Sequence, residues 1–203
     1  MKSRWHTLAS SYSSDQELID GLWQEIEEQY SGRKRHYHNL NHLEYMIDKA
    51  LEHQAYLGDL NTVLFSIFYH DIVYNVKRQD NEQKSADLAK ERLVKLGLPD
   101  DQIARCQMQI IATKEHHSQE DSDTNYLVDI DLAILGEDAE TYESYTQMIR
   151  KEYAIFPMFL YKAGRKKILR HFLEMDHIFK TDWFHKNYEP QARENLKAEL
   201  AVL

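Results

Sequence analysis

The sequence has few of the residues that break or cross-link a chain: one cysteine, six glycines and three prolines among 203 residues. A single cysteine, Cys106, excludes an intramolecular disulfide and gives no sign of an oxidising compartment. Its apolar neighbours Ile103, Ile110 and Ile111 predict a helical core position rather than a reactive thiol. The scarcity of glycine and proline leaves little of the chain for flexible linkers or for a turn-dense β-sandwich.

Positive charge is scarce as well. The chain carries 34 acidic residues against 25 lysines and arginines, which gives a net charge of −9. A protein that binds nucleic acid electrostatically usually has the opposite balance, so duplex nucleic acid is not an expected partner. The acidic excess does not exclude a phosphorylated small molecule, because a bound metal and a few basic side chains can override the global field locally.

Long apolar runs are absent from the sequence. No segment approaches the roughly 18 consecutive apolar residues that a membrane-spanning helix needs. Residues 1–14 lack the apolar core of a signal peptide. We therefore expect a cytoplasmic protein with no membrane partner.

What the chain does contain is a series of helix-forming segments with short joints, which predicts an all-α fold in a single domain. Leu43, Met46, Ile47, Ala50 and Leu51 form one apolar helical stripe after a basic, histidine-rich joint at 33–41. A polar loop is expected at 117–125. The other predicted helices are 15–30, 60–73, 81–95, 100–116, 126–135, 139–155, 159–172 and 191 to the end.

Segment 60–73 is apolar on nearly every side, as is typical of a helix at the centre of a fold. It ends in His70-Asp71, and a buried imidazole and carboxylate need compensation. An internal ion pair is one solution and a divalent cation, which accepts both ligand types, is the other. The dipeptide alone favours the ion pair.

Three further features favour the metal. His42 lies one position before the apolar stripe of its helix and therefore borders the core. His38 lies four residues earlier, on the same face if the helix begins that early. Asp129 and Asp131 both stand next to apolar residues that should draw them inward.

Taken in order, these residues resemble the HD superfamily of metal-dependent phosphohydrolases, and within it an uncharacterised subgroup of predicted enzymes. The resemblance covers nearly the whole chain. It rests on the segments Tyr37-His38-Asn39-Leu40-Asn41-His42, Phe68-Tyr69-His70-Asp71, Asp80-Asn81-Glu82-Gln83-Lys84-Ser85-Ala86, Ala112-Thr113-Lys114-Glu115-His116, Asp129-Ile130-Asp131-Leu132-Ala133-Ile134-Leu135-Gly136, Ile149-Arg150-Lys151-Glu152-Tyr153, Gly164-Arg165 and Ala192-Arg193-Glu194-Asn195-Leu196.

The resemblance implies an HD-domain helical bundle over residues 1–203, with a metal-binding core at about 36–136 and a C-terminal helical extension at about 137–203. The family's four metal-ligand positions fall on His42, His70, Asp71 and Asp131. Asp129 is the alternative to Asp131, because the Asp-x-Asp spelling leaves freedom in the alignment. Two imidazoles and two carboxylates suit Mn, Fe, Co, Ni, Zn or Mg.

The predicted catalytic residues are Asp71, Glu82 and His116. Glu82 either orients water or serves as general base, or else it is an acid that favours a helix N-terminus. His116 or His38 is available for a second metal, for phosphate contact or for proton transfer. The predicted substrate-binding residues are His38, Lys77, Arg78 and Lys114.

The implied activity is hydrolysis of a phosphomonoester or phosphoanhydride in a small molecule, with nucleotides among the candidates. The alternative is a non-enzymatic module that binds metal or nucleotide on the same fold. A third interpretation is a helical scaffold in which these residues form buried ion pairs only. The aromatic residues of the last third predict either core packing or the face of a homodimer (Phe156, Phe159, Tyr161, Phe172, Phe179, Trp183 and Phe184).

Overall fold

A computed structural model describes all of residues 1–203 and confirms the all-α prediction, because it contains helices and no strand. No helix is both long enough and apolar enough to cross a membrane. Two short 3₁₀ helices lie at Gln54–Tyr56 and Ala133–Gly136. The ten α-helices are α1 (Lys2–Ala9), α2 (Gln16–Tyr30), α3 (Leu40–Glu52), α4 (Leu60–Tyr69), α5 (Asn81–Leu96), α6 (Asp100–Ala112), α7 (Ser122–Leu132), α8 (Ala139–Glu152), α9 (Met158–Glu174) and α10 (Asp182–Val202).

Several helices begin at an acidic or amide side chain that accepts a hydrogen bond from the first turn. Asp15 caps α2, Asn39 caps α3, Asp59 caps α4, Asp121 caps α7 and Asp138 caps α8. Such a cap satisfies one of the backbone N–H groups that a helix start leaves without a partner. The polar joints between the helices thus fix where each one starts.

Helix α4 lies at the centre, as its all-round apolar sequence predicts. It packs against α3, α5, α6 and α7, and its residues Phe65, Ile67 and Phe68 are almost completely buried. Cys106 on α6 is fully buried, which confirms its predicted core position.

The central helix is shorter than predicted: it ends at Tyr69, four residues before the predicted end at residue 73. His70 occupies the position after the helix. The Asp71 N–H then donates to the Tyr30 hydroxyl at 3.1 Å and the Val73 N–H donates to Ser85 Oγ at 3.1 Å. These tertiary hydrogen bonds replace the helical ones, so the chain turns away and leaves His70 and Asp71 at the helix terminus.

One helix was not predicted, and two further predictions about secondary structure were wrong. The unpredicted helix is α1 in residues 1–14, held by Trp5, which is fully buried and donates from Nε1 to the Ile19 carbonyl at 3.0 Å. The predicted loop at 117–125 gives way to α7 from Ser122 onwards. Helix α10 begins at Asp182 and continues through Pro190, whereas the sequence placed its start after that proline.

The C-terminal segment packs on the same core as the rest of the chain. Helix α10 lies against α9 and against the 3₁₀ helix at Ala133–Gly136. Asn195 Nδ2 donates to the carbonyls of Leu135 and Glu137 at 2.9 and 2.8 Å. The aromatic residues of this segment divide: Phe172, Phe179 and Phe184 are buried, as core packing predicts, and Phe159 is 71% exposed.

Gly136 permits the close approach of α10. A Cβ atom at this position would lie 2.7 Å from the Tyr188 carbonyl oxygen and 2.8 Å from its Cβ, which is closer than real Cβ contacts come. The absence of a side chain at residue 136 is therefore a packing requirement of this junction.

We expect Gly136→Ala to lower the free energy of unfolding by about 1–3 kcal/mol, because the added methyl group forces α10 away from the core. Chemical denaturation measures this. Gly21→Ala is the matched control, since a Cβ there meets nothing within 4 Å and alanine is the better helix former. Equal stability of the two variants would contradict the packing role of Gly136.

Candidate metal centre and its cavity

Three helices bring the central histidines and aspartate together. His42 lies in the first turn of α3, His70 follows the last residue of α4, and Asp131 lies in the last turn of α7. Both histidines are almost fully buried. The ends of three packed helices therefore meet at one point inside the bundle.

The ligand-type atoms of this cluster are close enough to share one cation. One atom from each of His42, His70 and Asp131 lies within 4.8 Å of the other two. His42 Nε2 is 3.3 Å and His70 Nε2 is 3.8 Å from Asp131 Oδ1. Asp71 borders the same group, with its Oδ2 3.5 Å from His70 Nε2. The cluster can hold a metal ion.

The hydrogen bonding of the two histidines fits this use. His70 Nδ1 lies 2.8 Å from the Ile67 carbonyl oxygen, which can only accept, so the proton is on Nδ1 and the Nε2 lone pair is free. Nε2 of His70 and both ring nitrogens of His42 are buried without a hydrogen-bond partner. Buried polar atoms normally have a partner, and a backbone-held histidine with a free second nitrogen is typical of metal ligands.

The protonation states also suit a cation. Burial lowers the pKa of His42 below its ordinary value, which keeps the ring neutral. Burial opposes ionisation of Asp131, but its contacts with His116 and His42 outweigh burial and hold the pKa of this carboxyl well below its ordinary value. Metal binding needs neutral imidazole and ionised carboxylate.

The structure separates the two aspartates of the Asp-x-Asp pair. Asp131 belongs to the cluster, whereas Asp129 accepts hydrogen bonds from the Lys180 N–H and from the Thr181 N–H and hydroxyl, all at 2.7 Å. Burial raises the pKa of Asp129 to about 6, against the effect of these donors. Asp129 thus holds the start of α10 and lies outside the cluster.

His116 lies four residues after the end of α6 and reaches the cluster from there. Its Nε2 is 3.7 Å from Asp131 Oδ2, and its φ of 55° places it in the left-handed region. That conformation is uncommon outside glycine and is frequent at functional sites. The strained backbone turns the ring of His116 towards Asp131.

His38 is held by a carboxylate from the C-terminal segment. Its Nδ1 is 2.6 Å from Glu152 Oε2, and its Nε2 is 3.8 Å from Asp71 Oδ2. Burial disfavours the charged ring, but Asp71 and Glu152 outweigh burial and raise the pKa of His38 above its ordinary value. Asp71 and Glu152 thus favour the charged form of His38, whose ring connects Glu152 to the cluster.

Glu152 was not among the site residues predicted from the sequence. Its side chain is fully buried and accepts from the backbone N–H groups of Tyr37 and His38 at 2.8 and 2.9 Å and from the Tyr74 hydroxyl at 2.8 Å. The one available signal was its place in the segment 149–153, which entered only through the family resemblance. A glutamate at the end of an amphipathic helix otherwise looks like a surface residue.

The cluster opens into a cavity of about 650 Å³. Beside Asp131 and Asp71, its lining includes five of the predicted site residues, namely His38, His70, Arg78, Glu82 and His116. Most of the other lining residues are hydrophobic, and α9 contributes the largest share of them. One side of the cavity is therefore formed by polar residues of the His/Asp cluster and the other side by an apolar wall.

The predicted substrate-binding basic residues Lys77, Arg78 and Lys114 differ in whether they line the cavity. Arg78 lines the cavity, but its guanidinium makes a two-point ion pair with Asp80 at 2.7 and 2.6 Å. Lys77 and Lys114 are exposed and lie outside the lining. Arg35, another basic residue of the histidine-rich joint, donates to the carbonyls of His38, Asp71 and Ile72 and so braces the turn beside the cluster.

Comparison of the chain with protein-family models, with curated proteins and with solved structures found no match. The geometry of the cluster is therefore the observation on which a functional proposal has to rest.

We expect Glu152→Gln to lower the free energy of unfolding by about 3 kcal/mol, because the partly buried His38 ring and two backbone N–H groups lose a fully buried carboxylate partner. The pKa of His38, followed by NMR titration of the ring, should fall for the same reason. Glu194→Gln, at an exposed position of α10, is the control. An unchanged His38 pKa in Glu152→Gln would show that the two side chains are not coupled.

The stabilisation by Glu152 should depend on pH. The pKa of this carboxyl is about 2, below its ordinary 4.5, because hydrogen bonds from His38 and from the Tyr37 backbone outweigh the effect of burial. A depressed pKa makes the contribution complete above about pH 4.5 and removes it progressively towards pH 2. Denaturation series should show the difference between wild type and Glu152→Gln shrinking across this window.

Proposed function

We propose that the chain is a metal-dependent phosphohydrolase of the HD type. The observation that carries the proposal is the pair of buried imidazoles of His42 and His70, whose Nε2 atoms lack hydrogen-bond partners and lie within reach of Asp131 on the wall of a cavity. A scaffold of buried ion pairs would satisfy these nitrogens internally. The order of these residues along the chain supports the same family.

His42, His70 and Asp131 would hold the cation, with Asp71 as a fourth ligand. Histidine and carboxylate together suit a borderline or hard divalent ion. When bound, such an ion lowers the pKa of coordinated water and neutralises negative charge on a phosphoryl group. The nearly complete burial of both histidines keeps bulk water away from the cluster and strengthens the electrostatic interactions there.

His38 has the properties needed to bind and protonate an anionic substrate. Glu152 fixes the proton on Nδ1, since a carboxylate there can only accept, and the charged ring presents Nε2–H on the side of Asp71 and the cavity. From this position it can donate to a phosphate oxygen and then to the leaving-group oxygen. The raised pKa of His38 favours the protonated form that such donation needs.

Glu82 and His116 complete the polar lining. Glu82 stands in the first turn of α5 and lines the cavity without an ion-pair partner within 4 Å, which leaves its carboxylate free to accept a proton from water. His116 contacts Asp131 and would orient that carboxylate. We assign proton acceptance to Glu82 and positioning to His116.

Purified protein should contain a divalent metal in near-stoichiometric amount, or take one up from Mn, Co, Ni, Zn or Mg. At a free metal concentration of about 100 times Kd, binding should raise the unfolding free energy by about 2.7 kcal/mol. Elemental analysis and thermal unfolding measure the two effects. Asp131→Asn and His70→Ala should lose both, while His36→Ala, at an exposed position, should keep both.

The metal-loaded protein should release phosphate from a phosphate ester, and the same two variants should lower kcat by at least about a hundredfold. Folding of each variant is checked by circular dichroism. Metal binding without turnover of any ester or anhydride would favour a binding module. Absence of both binding and stabilisation would leave only the scaffold.

A further inference from the structure

We propose that the substrate is a phosphate monoester whose organic part is an apolar alkyl or aryl group lying along α9, an inference that rests on the proposed phosphohydrolase function. The metal site alone would accept many phosphorylated small molecules, and this proposal names one class of them. It rests on the shape of the wall, on the pairing of the cationic side chains and on the outer rim of the cavity.

One face of α9 forms a continuous wall of the cavity. Leu160, Gly164, Ile168 and Phe172 follow one another at intervals of four residues and all line it. The ring of Phe172 lies 5.7 Å from that of His116, so the row begins beside the metal cluster. At 1.5 Å per residue the row is about 18 Å long, enough for an extended organic chain.

The arginines of the lining are not free to bind a chain of phosphates. Arg78 is paired with Asp80 at 2.7 and 2.6 Å, and Arg165 is paired with Glu199 at 2.7 and 2.9 Å. Polyphosphates are usually held by several free basic groups. The cavity therefore fits a single phosphoryl group placed between His38 and the metal cluster.

The basic side chains beside the apolar wall are engaged within the protein. Arg165 NH1 is directed at the Tyr145 hydroxyl, and Arg150 donates to the carbonyls of Tyr153 and Phe156. Among the polar lining groups, the Tyr37 hydroxyl has no hydrogen-bond partner, but its ring lies beside that of His42 and not on α9. Recognition along the face of α9 is therefore mainly by apolar contact.

The wall continues onto the surface. Leu160 and Ile168 line the cavity although they are 50% and 45% exposed. Ile155, Met158 and Phe159, at the turn before α9 and in its first residues, are 53%, 52% and 71% exposed. An apolar group longer than the cavity would thus remain in contact with apolar side chains as it leaves.

Gly164 supplies a way to test this wall. It lies in the middle of the row, and a Cβ placed on it meets no atom within 4 Å. A large side chain at this position should fit the helix and extend into the space beside it. Gly21 on α2 is the matched control, because its Cβ would also meet nothing within 4 Å and it does not line the cavity.

The experiment measures kcat/KM of the Mn-loaded full chain for linear alkyl monophosphates from ethyl to decyl, each below its micelle concentration, with nucleoside mono- and triphosphates for comparison. We expect kcat/KM to rise about two- to fourfold per added methylene until the wall is covered. Gly164→Phe should lower the ratio of the value for decyl phosphate to that for ethyl phosphate by about tenfold or more. Gly21→Phe should leave this ratio unchanged.

Ile168→Asn is a second variant at a half-exposed position, and it should reduce the chain-length dependence in the same direction. A kcat/KM that does not rise with chain length, or that is higher for nucleotides, overturns the apolar-substrate hypothesis while the hydrolase remains. If no ester is turned over, calorimetric binding of ethyl and decyl phosphate decides. If the affinity grows with chain length and this dependence is lost in Gly164→Phe, the apolar binding wall is supported although the hydrolase is not. Any other binding result overturns both hypotheses.

Discussion

The burial of His42 and His70 beside Asp131 is the constraint on which the site depends. Imidazole nitrogens enclosed by apolar helices lose their hydration, and here their Nε2 atoms gain no hydrogen bond in exchange. Three separate helices have to end or begin at this point for the side chains to meet. The central helix α4 ends just before His70, and the backbone N–H groups of Asp71 and Val73 beyond it donate to Tyr30 and Ser85.

Around this cluster the charges are arranged in one connected row. Glu152 holds His38, His38 faces Asp71, and Asp71 borders His70. Because the row alternates between acid and base, a proton or a charge introduced at one end is felt at the other. This row connects the polar half of the cavity to the cluster of His42, His70 and Asp131. The face of α9 forms the apolar half of the cavity.

Much of this architecture follows from local sequence patterns. The all-round apolarity of the α4 segment predicts its central position, and His42, His70 and Asp131 stand out because each borders an apolar run. Other features depend on partners distant in sequence. Helix α1 is polar in composition and forms because Trp5 finds a place in the core. Pro190 predicts a helix start, but packing against Ala133–Gly136 carries α10 through it.

The role of Glu152 gives the C-terminal segment a further significance. The family resemblance predicts a division near residue 136 between a metal-binding core and an extension, yet the carboxylate that holds His38 belongs to the second part. The extension also supplies the α9 wall and, through Asn195, closes the joint beside the cluster. The boundary of the predicted core therefore does not enclose the whole site: a fragment ending at Gly136 would keep His42, His70, Asp71 and Asp131 and lose the groups that complete the pocket around them.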